Sequence, residues 1–130
     1  MITGLTYAIV TTDDVPRARR FFTEQLGLTL DHIEPYGEEL EIAFLPCGET
    51  LVELIEPRTQ AGSNADYLKE NGPGIQHVAF EVDDLEAALA ELAERGVEMV
   101  TEPHDEPFGR TFAFRDPDGR VLHAWAPRGR

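Results

Sequence analysis

Four polar side chains stand in the middle of apolar, strand-like runs: Tyr7 in LTYAIV, Glu53 in LVELIE, His77 in IQHVAF and His123 in VLHAWA. Their spacing pairs them. Tyr7 and His77 are 70 residues apart, and so are Glu53 and His123. A Glu or His among apolar neighbours is costly unless it is paired or coordinated. Two histidines and a carboxylate suit zinc, nickel, cobalt, manganese or ferrous iron, with positions left open for water or a bidentate substrate. Tyr7 is either a fourth ligand or, as a phenol with an ordinary pKa near 10, a hydrogen-bond donor. Taken singly, each residue also has a plainer reading, as a hydrogen-bonded strand histidine or a carboxylate on a solvated sheet face. The shared offset is what argues for one site.

The same offset organises the whole chain. Residues 5–15, LTYAIVTTDDV, lie over residues 75–85, IQHVAFEVDDL, and residues 43–57, AFLPCGETLVELIEP, lie over residues 113–127, AFRDPDGRVLHAWAP. Two distant blocks in one register point to internal duplication. Each copy reads as a strand (4–11; 75–82) ending at an Asp pair that suits a helix N-cap. A helix follows, with Val15, Ala18, Phe22 and Leu26 on one stripe, or Leu85, Ala88, Leu89 and Leu92 on the other. Gly27 and Gly96 stand where a left-handed C-cap is wanted. Strand runs with turn signals at Tyr36-Gly37 and Asp118-Gly119 complete each copy. The expected fold is α+β, a single domain of two βαβββ modules, 1–57 and 75–130. They are joined by the linker 58–74, with a short helix near 64–70.

Strand alternation decides which residues face a site. Ala8 and Val10, like Val78, Phe80 and Val82, are expected to pack on the helices. Tyr7 and His77 then point to the opposite face, and Glu53 and His123 alternate with apolar neighbours in the same way. That face also carries Ile9, Ile55, Val121 and Trp125 as an apolar lining with a stacking surface. Phe108 and Arg110, in PHDEPFGR, form a possible rim for an anionic ligand, against the plainer reading of a loop with a surface Arg. His32 and His104 read as ordinary polar residues, and Cys47 as a turn residue with no neighbouring base.

Composition narrows the classes. The chain has 130 residues and a formal net charge of -14, so nothing supplies the clustered cations that nucleic-acid binding needs. No apolar run reaches membrane-spanning length. One cysteine allows no internal disulfide, and the N-terminus shows no secretory pattern, so a cytoplasmic location is expected.

At these residues the sequence resembles the vicinal oxygen chelate superfamily, which includes glyoxalase I, methylmalonyl-CoA epimerase, extradiol dioxygenases and the bleomycin and fosfomycin resistance proteins. The pieces that carry the resemblance are the strand–DDV–helix opening with FFTEQLGL, then GETLVELIEP, GIQHVAFEVDDLEAALAELAERGV and FGRTFAFRDPDGRVLHAWAP. The middle is most similar to methylmalonyl-CoA epimerase and the ending to the broader glyoxalase and bleomycin-resistance group. The resemblance implies paired modules in a curved mixed sheet around a cup, helices on the outer face, and a homodimer. It also implies metal ligands at Glu53 and His77. Tyr7 departs from the family's first-strand His, and His123 from its last-strand Glu.

Three activities are compatible with that pattern. The first is a divalent-metal-dependent lyase, isomerase or epimerase acting on a small substrate with adjacent oxygens. There a metal held by Glu53, His77 and His123 stabilises an enediolate, Glu53 moves the proton and Tyr7 steadies the oxyanion. The second is a metal-free, drug-sequestering binding protein. The third, an extradiol-type dioxygenase, matches the family's ligand positions only at His77.

Overall fold

The computed structural model describes residues 1–106 and 109–127. The order of elements is β1 (Ile2–Thr11), α1 (Val15–Arg20), β2 (His32–Tyr36), β3 (Leu40–Cys47), β4 (Thr50–Pro57), α2 (Ser63–Asn71), β5 (Gly74–Val82), α3 (Leu85–Glu94), β6 (His104–Glu106), β7 (Gly109–Arg115) and β8 (Val121–Ala126). The class is α+β, and βαβββ occurs twice. The helix α2 occupies the stretch between the two copies.

Contacts divide the chain into two compact units. The first is Tyr7–Gln76. The second is His77–Arg130 together with Met1–Thr6. The N-terminal residues belong with the second unit because Met1 packs on its apolar cluster, its carbonyl accepts from the Asp83 N–H, and the Thr3 hydroxyl donates to the Glu81 carbonyl.

In the first unit β2, β3 and β4 form antiparallel pairs, and the Tyr7–Thr11 part of β1 runs parallel to β4. In the second unit β6, β7 and β8 are antiparallel, and β5 runs parallel to β8. The parallel registers repeat at the offset of the sequence. Ile9 lies opposite Glu53, and Ala79 lies opposite His123.

The hairpins do not repeat so simply. Ala43 faces Leu54, but Ala113 faces His123, one residue out of step. Phe112, not Ala113, is therefore the counterpart of Ala43. The cause is the turn. Cys47 and Thr50 close a two-residue loop, whereas Asp116 and Arg120 pair across three residues, with Gly119 at positive φ. A one-residue shift in a strand exchanges its faces.

Each helix begins as the sequence requires. The Asp14 carboxylate accepts from the Arg17 N–H at 3.0 Å, and Asp84 accepts from the Ala87 N–H at 3.1 Å. Val15, Ala18 and Phe22 pack on Val10, Ala43, Leu45, Val52 and Leu54. Leu85, Ala88, Leu89 and Leu92 pack on Phe80, Val82, Phe112, Phe114, Leu122 and Ala124. Leu26 departs from its expected stripe and is exposed. After Arg20 the backbone makes one π-helical turn, Phe21–Gln25, which widens the helix and rotates Leu26 off the buried side. Among the described residues, no helix is long and apolar enough to cross a membrane.

The cap of α3 can be tested directly. Asp84→Ala is expected to lower unfolding free energy by about 1 kcal/mol, and Asp84→Asn by much less, in urea titrations followed by circular dichroism.

Candidate functional site

In the first unit Glu53 sits on the face away from α1. Its lateral neighbours are Ile9 on β1 and Phe44 on β3, both buried. Tyr7, Ile42 and Ile55 complete the apolar cluster on that face. No hydrogen-bond or ion-pair partner of the Glu53 carboxylate is found among the described residues. Burial, and then the negative charge of Glu34, push its pKa up to about 7. A carboxyl in that state gives and takes a proton near neutral pH.

Two more residues stand on this face: His32, which the sequence reading took as an ordinary polar residue, and Glu34, which it did not single out. His32 stacks on Phe44, with ring centroids 4.5 Å apart, and its Nδ1 lies 2.5 Å from Asp31 Oδ2. That hydrogen bond raises the His32 pKa. Glu34 lies 3.7 Å from His32 Nε2. The strand HIEPY is so polar that its pattern does not show which side faces inward. Its register with β3 does.

In the second unit His77 and His123 stack, with ring centroids 3.9 Å apart and planes 13° from parallel. His123 has Ala79 on one side and Ala113 on the other, and these small neighbours leave room for a second ring. The Thr111 hydroxyl lies 3.4 Å from His123 Nδ1 and orients the ring. Burial, and then the charge of His123, push the His77 pKa down to about 3. Burial, and then His104, push His123 down to about 4. Both imidazoles are therefore neutral at physiological pH, the form that binds a metal or accepts a proton.

The remaining expected residues separate. Ile9 and Ile55 are buried beside Glu53, while Val121 and Trp125 are half-buried on the His123 side of β8. Arg110 is not on that side. It lies opposite Ala126, on the helix face, and its guanidinium is taken up by Glu86 at 2.6 Å and Asp105 at 3.0 Å. Phe108 falls outside the described residues. Cys47 is exposed.

The donor types fit a divalent metal ion: two neutral imidazoles and a carboxyl that ionises near neutral pH. The two imidazoles are not arranged as ligands of one ion. Imidazoles on one ion aim at a common point, so the stacked rings would have to splay. Among the described residues no group of three or more His, Cys, Asp or Glu is arranged to hold an ion.

A family model described as the Glyoxalase/Bleomycin resistance protein/Dioxygenase superfamily matches residues 4–123. The chain belongs to that superfamily. Within it, the chain is 31% identical to the uncharacterised protein YqjC of Bacillus subtilis over 117 residues, 86% of this chain and 84% of that one. It is 30% identical to the mitochondrial methylmalonyl-CoA epimerase of Bos taurus over 100 residues, 75% of this chain and 57% of that protein. The crystal structure of methylmalonyl-CoA epimerase from Mycobacterium tuberculosis superposes with a TM-score of 0.82 at 27% identity, covering 97% of this chain and 89% of that one. Superfamily membership accounts for the duplicated βαβββ plan.

The burial of Glu53 has a measurable consequence. Unfolded, its carboxyl ionises near 4.5; folded, it holds the proton to about 7. Between those values the folded state binds more protons, so this residue's contribution to stability falls as pH rises. The histidines act oppositely and lower down. Their folded pKa values lie below the unfolded 6.5, so stability rises with pH up to about 6.5 and is then level. In chelator-treated protein, Glu53→Gln is expected to stabilise the fold by roughly 1–3 kcal/mol near pH 8 and by almost nothing near pH 4.5. Equal effects at both pH values in urea titrations would contradict the assignment.

Proposed function

We propose that the chain is an isomerase of the epimerase kind, which removes and returns the proton next to a carbonyl in a small substrate with adjacent oxygens. Glu53 carries this reading: a carboxyl buried between Ile9 and Phe44, without an ionic partner among the described residues, and titrating near 7. General bases are most useful when their pKa lies near the working pH. Similarity to methylmalonyl-CoA epimerases supports the same chemistry.

In this reading Glu53 takes the proton from the carbon and hands it back on the other face or at the neighbouring position. Tyr7 donates a hydrogen bond to the oxygen on which charge builds up. His77 and His123 would hold a divalent metal ion; the superfamily resemblance and the repeat register add Glu53 to that set. Such an ion supplies Lewis-acid polarisation of the substrate's oxygens. Thr111 keeps the His123 ring in one orientation, and Ala79 and Ala113 keep space for it.

The second reading is a binding protein without turnover. The ring of Tyr7, partly buried on a floor of the buried residues Ile9, Ile42, Phe44 and Ile55, favours it, since an aromatic side chain on an apolar floor holds a hydrophobic ligand whether or not chemistry follows.

Proton exchange separates the two. Methylmalonyl-CoA, or a 2-hydroxy ketone, is incubated in deuterated water with the protein and zinc, cobalt, nickel, manganese or ferrous iron. NMR is expected to show deuterium entering at the carbon next to the carbonyl. Glu53→Gln should slow exchange by about 100-fold or more. His77→Ala and His123→Ala should each lower bound metal measured by elemental analysis. No exchange with any metal, or unchanged exchange in Glu53→Gln, contradicts the isomerase reading. Tight one-to-one binding of an aromatic ligand without exchange selects the binding protein.

A further inference from the structure

Most glycines here serve turns, where φ is positive. Gly109 is different. Its backbone is not in the left-handed region, yet a Cβ there would lie 2.5 Å from the Ala126 carbonyl oxygen, 2.7 Å from Trp125 Nε1 and 2.8 Å from Trp125 Cε2. No real Cβ tolerates such contacts, and the carbonyl belongs to a paired strand that cannot retreat. The indole of Trp125 therefore lies diagonally over the bare backbone of β7, in a space that only glycine leaves open.

Trp125 projects on the same side of β8 as His123, two residues away, between Thr111 on β7 and Glu81 on β5. The indole is half-buried. Among the described residues its ring has no aromatic or cationic partner and its Nε1 has no acceptor. Indole N–H groups in such sites usually find an acceptor. An aromatic side chain held by a space constraint thus stands about 7 Å along the strand from the stacked imidazoles.

We propose that Trp125, seated against the bare backbone of Gly109, is a stacking platform that selects substrates whose two-oxygen group is joined directly to a planar conjugated ring. The oxygens would lie toward His77 and His123 and the ring on the indole. This deepens the isomerase reading by naming a substrate class, and it rests on that reading only for the orientation of the oxygens.

The chain contains a single tryptophan, so its fluorescence reports on this position alone. Three 2-hydroxy acids serve as probes: mandelate, its saturated-ring analogue hexahydromandelate, and lactate. All present the same vicinal oxygens. Only mandelate has a conjugated ring, and hexahydromandelate matches it in bulk. Titration of the wild-type protein with the metal that it binds best is expected to show saturable change in emission. Mandelate should bind about two- to tenfold tighter than hexahydromandelate, the range of one aromatic stacking contact. In Trp125→Leu, with binding followed by calorimetry, that preference should fall below about twofold. Gly109→Ala should shift the emission before any ligand is added. Equal affinity for mandelate and hexahydromandelate overturns the proposal, as does no response to any acid, or a ring preference that survives in Trp125→Leu. The wild-type comparison stands even if a variant fails to fold. A ring preference without proton exchange keeps the platform and removes the isomerase; exchange without a ring preference does the reverse.

Discussion

The constraint on which the structure depends is the parallel pairing of the first and last strand of each module. It sets Ile9 against Glu53 and Ala79 against His123. Because the side-chain period of a strand is two, this single register decides which residues lie under the helix and which lie on the other side. Under the helices it places Val10, Val52 and Leu54, or Phe80, Leu122 and Ala124. On the other side it places two polar residues per module, Tyr7 and Glu53 or His77 and His123, among apolar ones. Slip either strand by one residue and the polar side chain would enter the core beneath the helix.

Burial of those polar groups then sets their charge. A carboxyl surrounded by Ile9 and Phe44 keeps its proton to about 7, and imidazoles stacked over alanines lose theirs well below 6.5. Both shifts have the same physical source, the cost of an ion away from water. The result is a set of groups that are neutral or nearly so near pH 7. That state is unstable on its own account and useful for proton transfer or for coordination.

Much of this was legible in the residues. The 70-residue offset, the Asp N-caps at Asp14 and Asp84, and the alternation that turns Tyr7 and His77 away from the helices all follow from local rules. What local rules missed lies between strands. The extra residue in the turn at Asp116–Arg120 shifts the hairpin register, so Ala113 rather than Phe114 stands beside His123. A gapless alignment of AFLPCGET with AFRDPDGR hides that shift. Arg110 looked free to meet an anion because its partners, Glu86 and Asp105, are remote or on another strand. The π-helical turn that exposes Leu26 has no signature in hydrophobic periodicity.

The one-residue shift also makes the surroundings of Glu53 and His123 differ. At equivalent places beside the polar residue the first unit has Phe44 and the second has Ala113. Phe44 fills its space, stacks on His32 and leaves Glu53 pressed into an apolar wall. Ala113 is small beside His123, whose ring stacks on His77. Had the second hairpin kept the two-residue turn of the first, Phe114 would stand beside His123. Divergence of a duplicated module thus came through a turn length as much as through the residues on the strands. The aromatic moved to the helix side at Phe114 is matched on the open side by Trp125, seated where Gly109 gives it room. One unit holds a buried acid and the other a pair of neutral bases beside an aromatic surface, a division of chemistry that two identical modules could not have provided.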